Sequence, residues 1–219
     1  MLKLKYFTFS PFSENTYILY NEKECIIFDP GCYTQTERDQ LVQFIDHKEL
    51  TPIRLINTHC HIDHIFGNAF IYNTYGLLPE YHAGEQPVLE AAASVAMMYG
   101  IPDFQASPSA ETFLTTESEI KLGDVELTIL FTPGHSPASL SFYAPNYQFI
   151  IGGDVLFQQS IGRTDLPGGN YDTLMKSIIT EFMSLPDPTI VYSGHGQPTT
   201  IGSERNHNPF IKEYTSKTN

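Results

Sequence analysis

Basic residues are scarce in this chain. Lys and Arg number 12 against 25 Asp and Glu in 219 residues, a formal net charge of −13, and no run of Lys or Arg occurs. A protein that neutralises phosphates and releases their counterions needs the opposite balance. Nucleic acid and anionic membrane surfaces are therefore excluded as main partners. Long apolar runs are also missing; none approaches the roughly eighteen residues that a membrane span needs. The first residues show no continuous apolar core of a secretory signal: Leu2, Leu4 and Tyr6 alternate with Lys3, Lys5 and Phe7, which reads as an opening β-strand. Cysteine is sparse. Cys25, Cys32 and Cys60 are odd in number and lack CxxC spacing, which argues against a disulfide framework and points to a reducing cytoplasm. Internal repeats and low-complexity linkers are absent. The 41% hydrophobic content is enough for a sizeable core, and the length suits a single domain over residues 1–219.

Strands are expected at Leu2–Phe9, Thr16–Tyr20 and Cys25–Phe28, the last closing on the turn Asp29-Pro30-Gly31. A helix is expected from Thr36, as N-cap, to His47, with Leu41, Phe44 and Ile45 on one face. The run Ile53–Ile56 reads as a buried strand that stops at Asn57-Thr58-His59, the kind of strand end where α/β folds place chemistry. Helices are then expected from Asp63 to Gly76 and from Glu85 to Tyr99. Strands follow at Glu119–Leu122, Val125–Thr132, Leu140–Tyr143 and Gln148–Ile151. A helix from Tyr171 to Leu185 and a strand at Thr189–Tyr192 close the pattern. Many strands with helices in both halves imply an α/β fold with two sheets.

The chemistry concentrates in histidine. Thr58-His59-Cys60-His61-Ile62-Asp63-His64 holds three imidazoles and a carboxylate just after a strand. In extended backbone, residues two apart point the same way, so His59 and His61 reach one point. A turn at Asp63 lets Asp63 and His64 face a second. One loop thus offers donors to two cations, and imidazole nitrogen with carboxylate oxygen suits zinc, iron or manganese. His135, Asp154 and His195 each follow an apolar strand beside glycine, which tolerates the tight turns such sites need. Five histidines and two aspartates supply three donors to each of two sites and one shared.

This pattern resembles the metallo-β-lactamase fold superfamily, whose hallmark is His-x-His-x-Asp-His followed by His, Asp and His. The gaps here are 71 residues from His64 to His135, 19 to Asp154 and 41 to His195. The resemblance implies an αββα four-layer sandwich. It also implies one metal on His59, His61 and His135, a second on Asp63, His64 and His195, and Asp154 bridging them. Zinc is the first expectation for the two divalent ions. Two such ions outweigh the two aspartates, so the site is locally electropositive in an acidic chain and draws an anionic small molecule.

Two further stretches resemble the glyoxalase II-like branch: Gly152-Gly153-Asp154-Val155-Leu156-Phe157 with Gly162-Arg163-Thr164-Asp165-Leu166-Pro167-Gly168-Gly169, and Ser193-Gly194-His195-Gly196 with Glu204-Arg205 and Asn208-Pro209-Phe210. Only 24 residues follow His195, so the likeness is to the short hydroxyacylglutathione hydrolases. It implies a thioester hydrolase in which a metal-bridging hydroxide attacks the carbonyl, Asp63 orients that nucleophile, and Arg163 contacts a glutathione carboxylate. The rival within the same resemblance is a persulfide dioxygenase using one iron and O2, with His61, His135 and Asp154 as the equivalent ligands. Oligomeric state is not readable. His47, His82 and His207 read as surface or loop residues and Cys60 as a packing thiol. Met97-Met98-Tyr99 reads as core or as a lid, and Arg205 as an ion-pair partner of Glu204.

Overall fold

The computed structural model describes residues 1–218. The chain divides into two compact units, Met1–Leu114 with Lys121–Val125, and Thr115–Ile120 with the residues from Glu126 onward. Each holds a mixed β-sheet and its own helices, the α/β content expected from the sequence.

The first unit contains β1 (Lys3–Phe9), β2 (Glu14–Tyr20), β3 (Glu24–Phe28), α1 (Gln35–His47), β4 (Thr51–Ile56), α2 (Asn68–Tyr75), β5 (Pro79–Glu80) and α3 (Gln86–Tyr99). Its sheet runs in sequence order, antiparallel from β1 to β3 and parallel from β3 to β5. The parallel step is what α1 makes possible, because a parallel pair needs a crossover rather than a hairpin. Cys25, Ile26, Ile27 and Phe28 are all wholly buried, the unbroken apolar run of a strand covered on both faces. Leu41 and Ile45 of α1 pack with Ile18, Ile27 and Leu55.

Local details depart from expectation for identifiable reasons. The N-cap of α1 is Thr34, not Thr36: its hydroxyl accepts from Glu37 N while the Glu37 carboxylate accepts from Thr34 N. Glu37 lies three residues after Thr34, so only that start closes the reciprocal box. The helix expected from Asp63 to Gly76 is interrupted. A 3₁₀ turn at Ile62–His64 is followed by α2 only from Asn68. The His64 carbonyl accepts from the Asn57 side chain and Gly67 N donates to Pro30 O, so these groups serve the neighbouring loop instead of a helix ladder. Met97 and Met98 are 82% and 85% exposed, which rules them out of the core; they fall off the Leu89, Ala92, Ala96 stripe that α3 buries. Cys25, Cys32 and Cys60 are free and buried.

The second unit is built on β6 (Ile120–Leu122), β7 (Val125–Phe131), β8 (Leu140–Ala144), β9 (Phe149–Gly153), β10 (Leu156–Phe157), β11 (Ser160–Ile161), α4 (Tyr171–Ser177), β12 (Ile190–Ser193), β13 (Thr199–Thr200), α5 (Ile201–His207) and α6 (Pro209–Thr218). Residues 121–125, the tip of the β6–β7 hairpin, group with the first unit. The six-stranded sheet has the order β13-β12-β9-β8-β7-β6, with β9 and β12 parallel and β7, β8 and β9 mutually antiparallel. β10 and β11 form a separate hairpin. The single helix expected over 171–185 is instead α4 continued by wider π turns at Ile178–Phe182, with Phe182 seated against Gly152. Ile150, Leu174, Ile178, Phe182, Val191 and Ile201 form the core. No helix among the described residues is long and apolar enough to cross a membrane.

Candidate metal centre

Each unit carries one cluster of donor side chains. In the first unit, Phe28 of β3 pairs with Ile56 of β4, so the polar residues after each strand meet. Asp29 thus lies beside Thr58 and accepts from its amide at 2.7 Å and from its hydroxyl at 2.6 Å. The same carboxylate is 3.0 Å from His64 Nδ1. His59 packs against both other loop histidines, with ring centroids 4.8 Å from His61 and 4.1 Å from His64. Asp63 Oδ2 lies 3.8 Å from His64 Nε2. His59, His61, Asp63 and His64 are therefore gathered in one loop, with His59 nearer to His64 than to His61. Cys60 faces away into Ile65, Tyr81, Leu89 and Ala92.

The hydrogen bonds fix the imidazole tautomers. Asp29, already the acceptor for Thr58, accepts from His64 Nδ1 as well. The Thr58 hydroxyl donates its one hydrogen to Asp29, so towards His59 Nδ1, 3.0 Å away, it accepts. Both rings then keep their lone pair on Nε2, the arrangement in which a ligating histidine is oriented by a partner on its other nitrogen.

In the second unit three strand ends meet. β9 and β12 are parallel neighbours, Gly153 pairs with Ser193, and Gly194 N donates to Gly153 O at 2.9 Å. Asp154 and His195 consequently emerge side by side. Asp154 Oδ2 is 3.5 Å from His195 Nε2 and 3.5 Å from His135 Nε2. His135 Nδ1 donates to the Arg163 carbonyl at 2.7 Å, and its Nε2 faces the aspartate. Glycine is obligatory at two points. A Cβ on Gly162 would overlap the Asp154 carbonyl oxygen, and Gly134, at φ +129°, lies against the Leu174 backbone.

The Arg163 side chain, expected to meet substrate, is half exposed and holds Asp165 through two hydrogen bonds of 2.7 Å. That guanidinium holds the Asp165 carboxyl down at about 2. Arg205 pairs not with Glu204 but with Asp187 and the carbonyls of Met183 and Leu185. Glu204 is buried and accepts from Gln159, Thr199 and Asn208. His82 caps a short turn by accepting from Gly84 N, and His207 lies on the surface against Ser203 O.

Several supporting residues escaped the sequence reading. Asp29 looked like an ordinary turn residue; its signal was a carboxylate directly after an all-apolar strand. Glu85, wholly buried, accepts from Cys60 N at 3.0 Å, and Asn57 and Asn68 bond to each other. Glu14 is buried as well. Burial holds its carboxyl well above the usual carboxylate range; nearby His64 lowers it, while Asp29 and Asp63 add to the rise. Buried carboxylates crowded around a histidine loop, with lone pairs on Nε2, suit divalent cations.

Comparison with known proteins agrees. The Metallo-beta-lactamase superfamily family model matches residues 10–195. A probable metallo-hydrolase, YqgX, of Bacillus subtilis is 39% identical over 94% of this chain and 95% of its own. The hydroxyacylglutathione hydrolase GloC of Haemophilus influenzae is 34% identical over 91% and 93%. Among solved structures, the BLEG-1 B3 metallo-beta-lactamase superposes with a TM-score of 0.87 at 39% identity, covering 95% of this chain and 99% of that one. TTHA1623 in a di-iron-bound form gives 0.83 at 32% identity over 94% and 99%.

Proposed function

The chain belongs to the metallo-β-lactamase superfamily, has its fold and is a metal-dependent hydrolase of that class; from this premise we propose that it hydrolyses glutathione thioesters of the S-lactoylglutathione type. The likeness to a hydroxyacylglutathione hydrolase along nearly the whole of both chains carries this reading. We further propose that all seven donors serve one single-domain catalytic centre. His59, His61 and His135 would hold one divalent cation, Asp63, His64 and His195 a second, with Asp154 shared, and zinc is favoured over iron or manganese.

The chemistry that two such cations supply is a water acidified towards neutrality and a polarised carbonyl. The chain's own residues supply the rest. Asp29, Thr58 and the Arg163 carbonyl hold Nδ1 protons on His64, His59 and His135, so that each presents Nε2 as donor. Asp154, with one oxygen equidistant from two imidazoles, suits the shared role. Asp63 orients the attacking water and accepts its proton. A thiolate leaves readily, so no strong general acid is required. Arg163 would take a carboxylate of the substrate in place of Asp165. Solvent screens an exposed ion pair of this kind, so the exchange costs little. Three buried thiols suit a reducing cytoplasm.

Metal analysis with turnover assays tests the reading. Two ions per chain and hydrolysis of S-lactoylglutathione are expected. One iron with oxygen consumption on glutathione persulfide would replace the reading with a dioxygenase, and turnover of β-lactams alone would move the substrate class. R163A should raise KM for glutathione thioesters several-fold with kcat kept; an unchanged KM would remove Arg163 from substrate binding.

A further inference from the structure

β2 carries a polar pair that the proposed reaction does not use. Glu14 and Thr16 are wholly buried, although a strand in this position has no local need for polar side chains. The Thr16 hydroxyl donates to Glu14 Oε2 at 2.9 Å and accepts from Gly31 N at 2.8 Å. The bonds run as a chain, Gly31 N–H to Thr16 and Thr16 O–H to Glu14. The Glu14 carboxylate fills the space that a Cβ on Gly31 would take, and that same space abuts the Asp63 carbonyl. Gly31 closes the turn that begins at Asp29, and Asp29 is the acceptor for Thr58 and His64. Pro30 O, within the turn, accepts from Gly67 N at 2.6 Å. The turn is thus pinned from β2 on one side and from the segment after His64 on the other.

We propose that Glu14 and Thr16 are positioning residues that set the Asp29–Gly31 turn and, through Asp29, the orientation of His64 and His59 for metal binding. The inference rests on the reading of His64 and His59 as ligands. Outer partners of ligating histidines typically change metal affinity about 10–100-fold when removed. Glu14 and Thr16 stand one step further back, which puts their effect at the low end.

The test uses the intact protein loaded with cobalt(II), read by its visible absorption and by competition with a chelator. E14A and T16V should release at least one of the two ions about tenfold more readily and shift the absorption bands. T16S keeps the hydroxyl and E14Q keeps an acceptor for it, so both should stay within about twofold of the parent. The valine variant preserves side-chain shape and isolates the hydroxyl should E14A fail to fold. Folded E14A and T16V with parental affinities and spectrum would overturn the proposal, and so would E14Q and T16S losses as large as those of E14A and T16V. A parent protein that takes up no cobalt would sink the proposed metal centre itself, a separate result.

Discussion

In the first unit four donors come from six consecutive residues, and buried side chains hold them: Asp29 grips Thr58 and His64, and Glu85 holds the Cys60 amide. In the second unit three donors come from three separate strand ends between residues 135 and 195, and main chain holds them. There the Arg163 carbonyl orients His135, Gly194 bonds Gly153, and Gly162 lets the backbone pass against Asp154. The contrast follows from how each cluster is made. A contiguous loop has many unsatisfied backbone groups and needs carboxylates to organise it. Strand ends are already ordered by the ladder behind them, and need only room.

Four measurements break or sharpen that contrast. The largest effect is expected from D154A, which removes the carboxylate facing both His135 and His195; kcat/KM should fall by roughly three orders of magnitude or more. Full retained turnover would show that the second cluster is not catalytic. G162A should act on the same cluster through packing alone. Its methyl has no space beside the Asp154 carbonyl, and the strain should lower stability by roughly 1–3 kcal/mol in denaturant melts and reduce metal content. A fully metallated, equally stable G162A would deny the main-chain account. D29N addresses the first cluster. The amide keeps one acceptor where the carboxylate offers two, and metal affinity in a chelator titration should drop about 10–100-fold with little change in melting temperature. If D29N bound metal normally, the carboxylate would be packing rather than an orienting group.

The smallest effect at neutral pH concerns the thiols, all of which lie in the first unit. Burial pushes Cys25 and Cys32 up to about 12 and raises Cys60 as well. A group raised on folding contributes stability that is complete below its unfolded value, about 8.5, and is lost as pH climbs through the folded value. Melting temperature should therefore fall as pH rises between about 9 and 12. Below pH 8 the native protein should resist thiol reagents until it is unfolded. Rapid labelling of the native state at neutral pH would show that the first unit opens readily.

The donor residues were legible because their signals are local. His59, His61, Asp63 and His64 follow the two-residue period of extended chain and the turn after it, and His135, Asp154 and His195 mark the ends of apolar runs beside glycine. Their supporters were not legible. Asp29 bonds His64 across 35 positions, Glu85 bonds Cys60 across 25, and Arg163 bonds His135 across 28. No periodicity connects such pairs; strand pairing and register do. Met97 and Met98 teach the same lesson in reverse, since apolar character alone read them as core or lid, while the helix phase set by Leu89, Ala92 and Ala96 turned them outward.

The amino-acid order by itself determined the α/β pattern, the metal-binding character and the candidate donors, because alternation, helix period and ligand spacing act over a few residues. Tertiary structure alone decided which partner each imidazole Nδ1 meets, which carboxylate reaches His64, and that Arg163 supports His135 through its carbonyl. Those outcomes depend on hydrogen bonds between segments far apart in the chain, and such bonds exist only after the strands have paired in register.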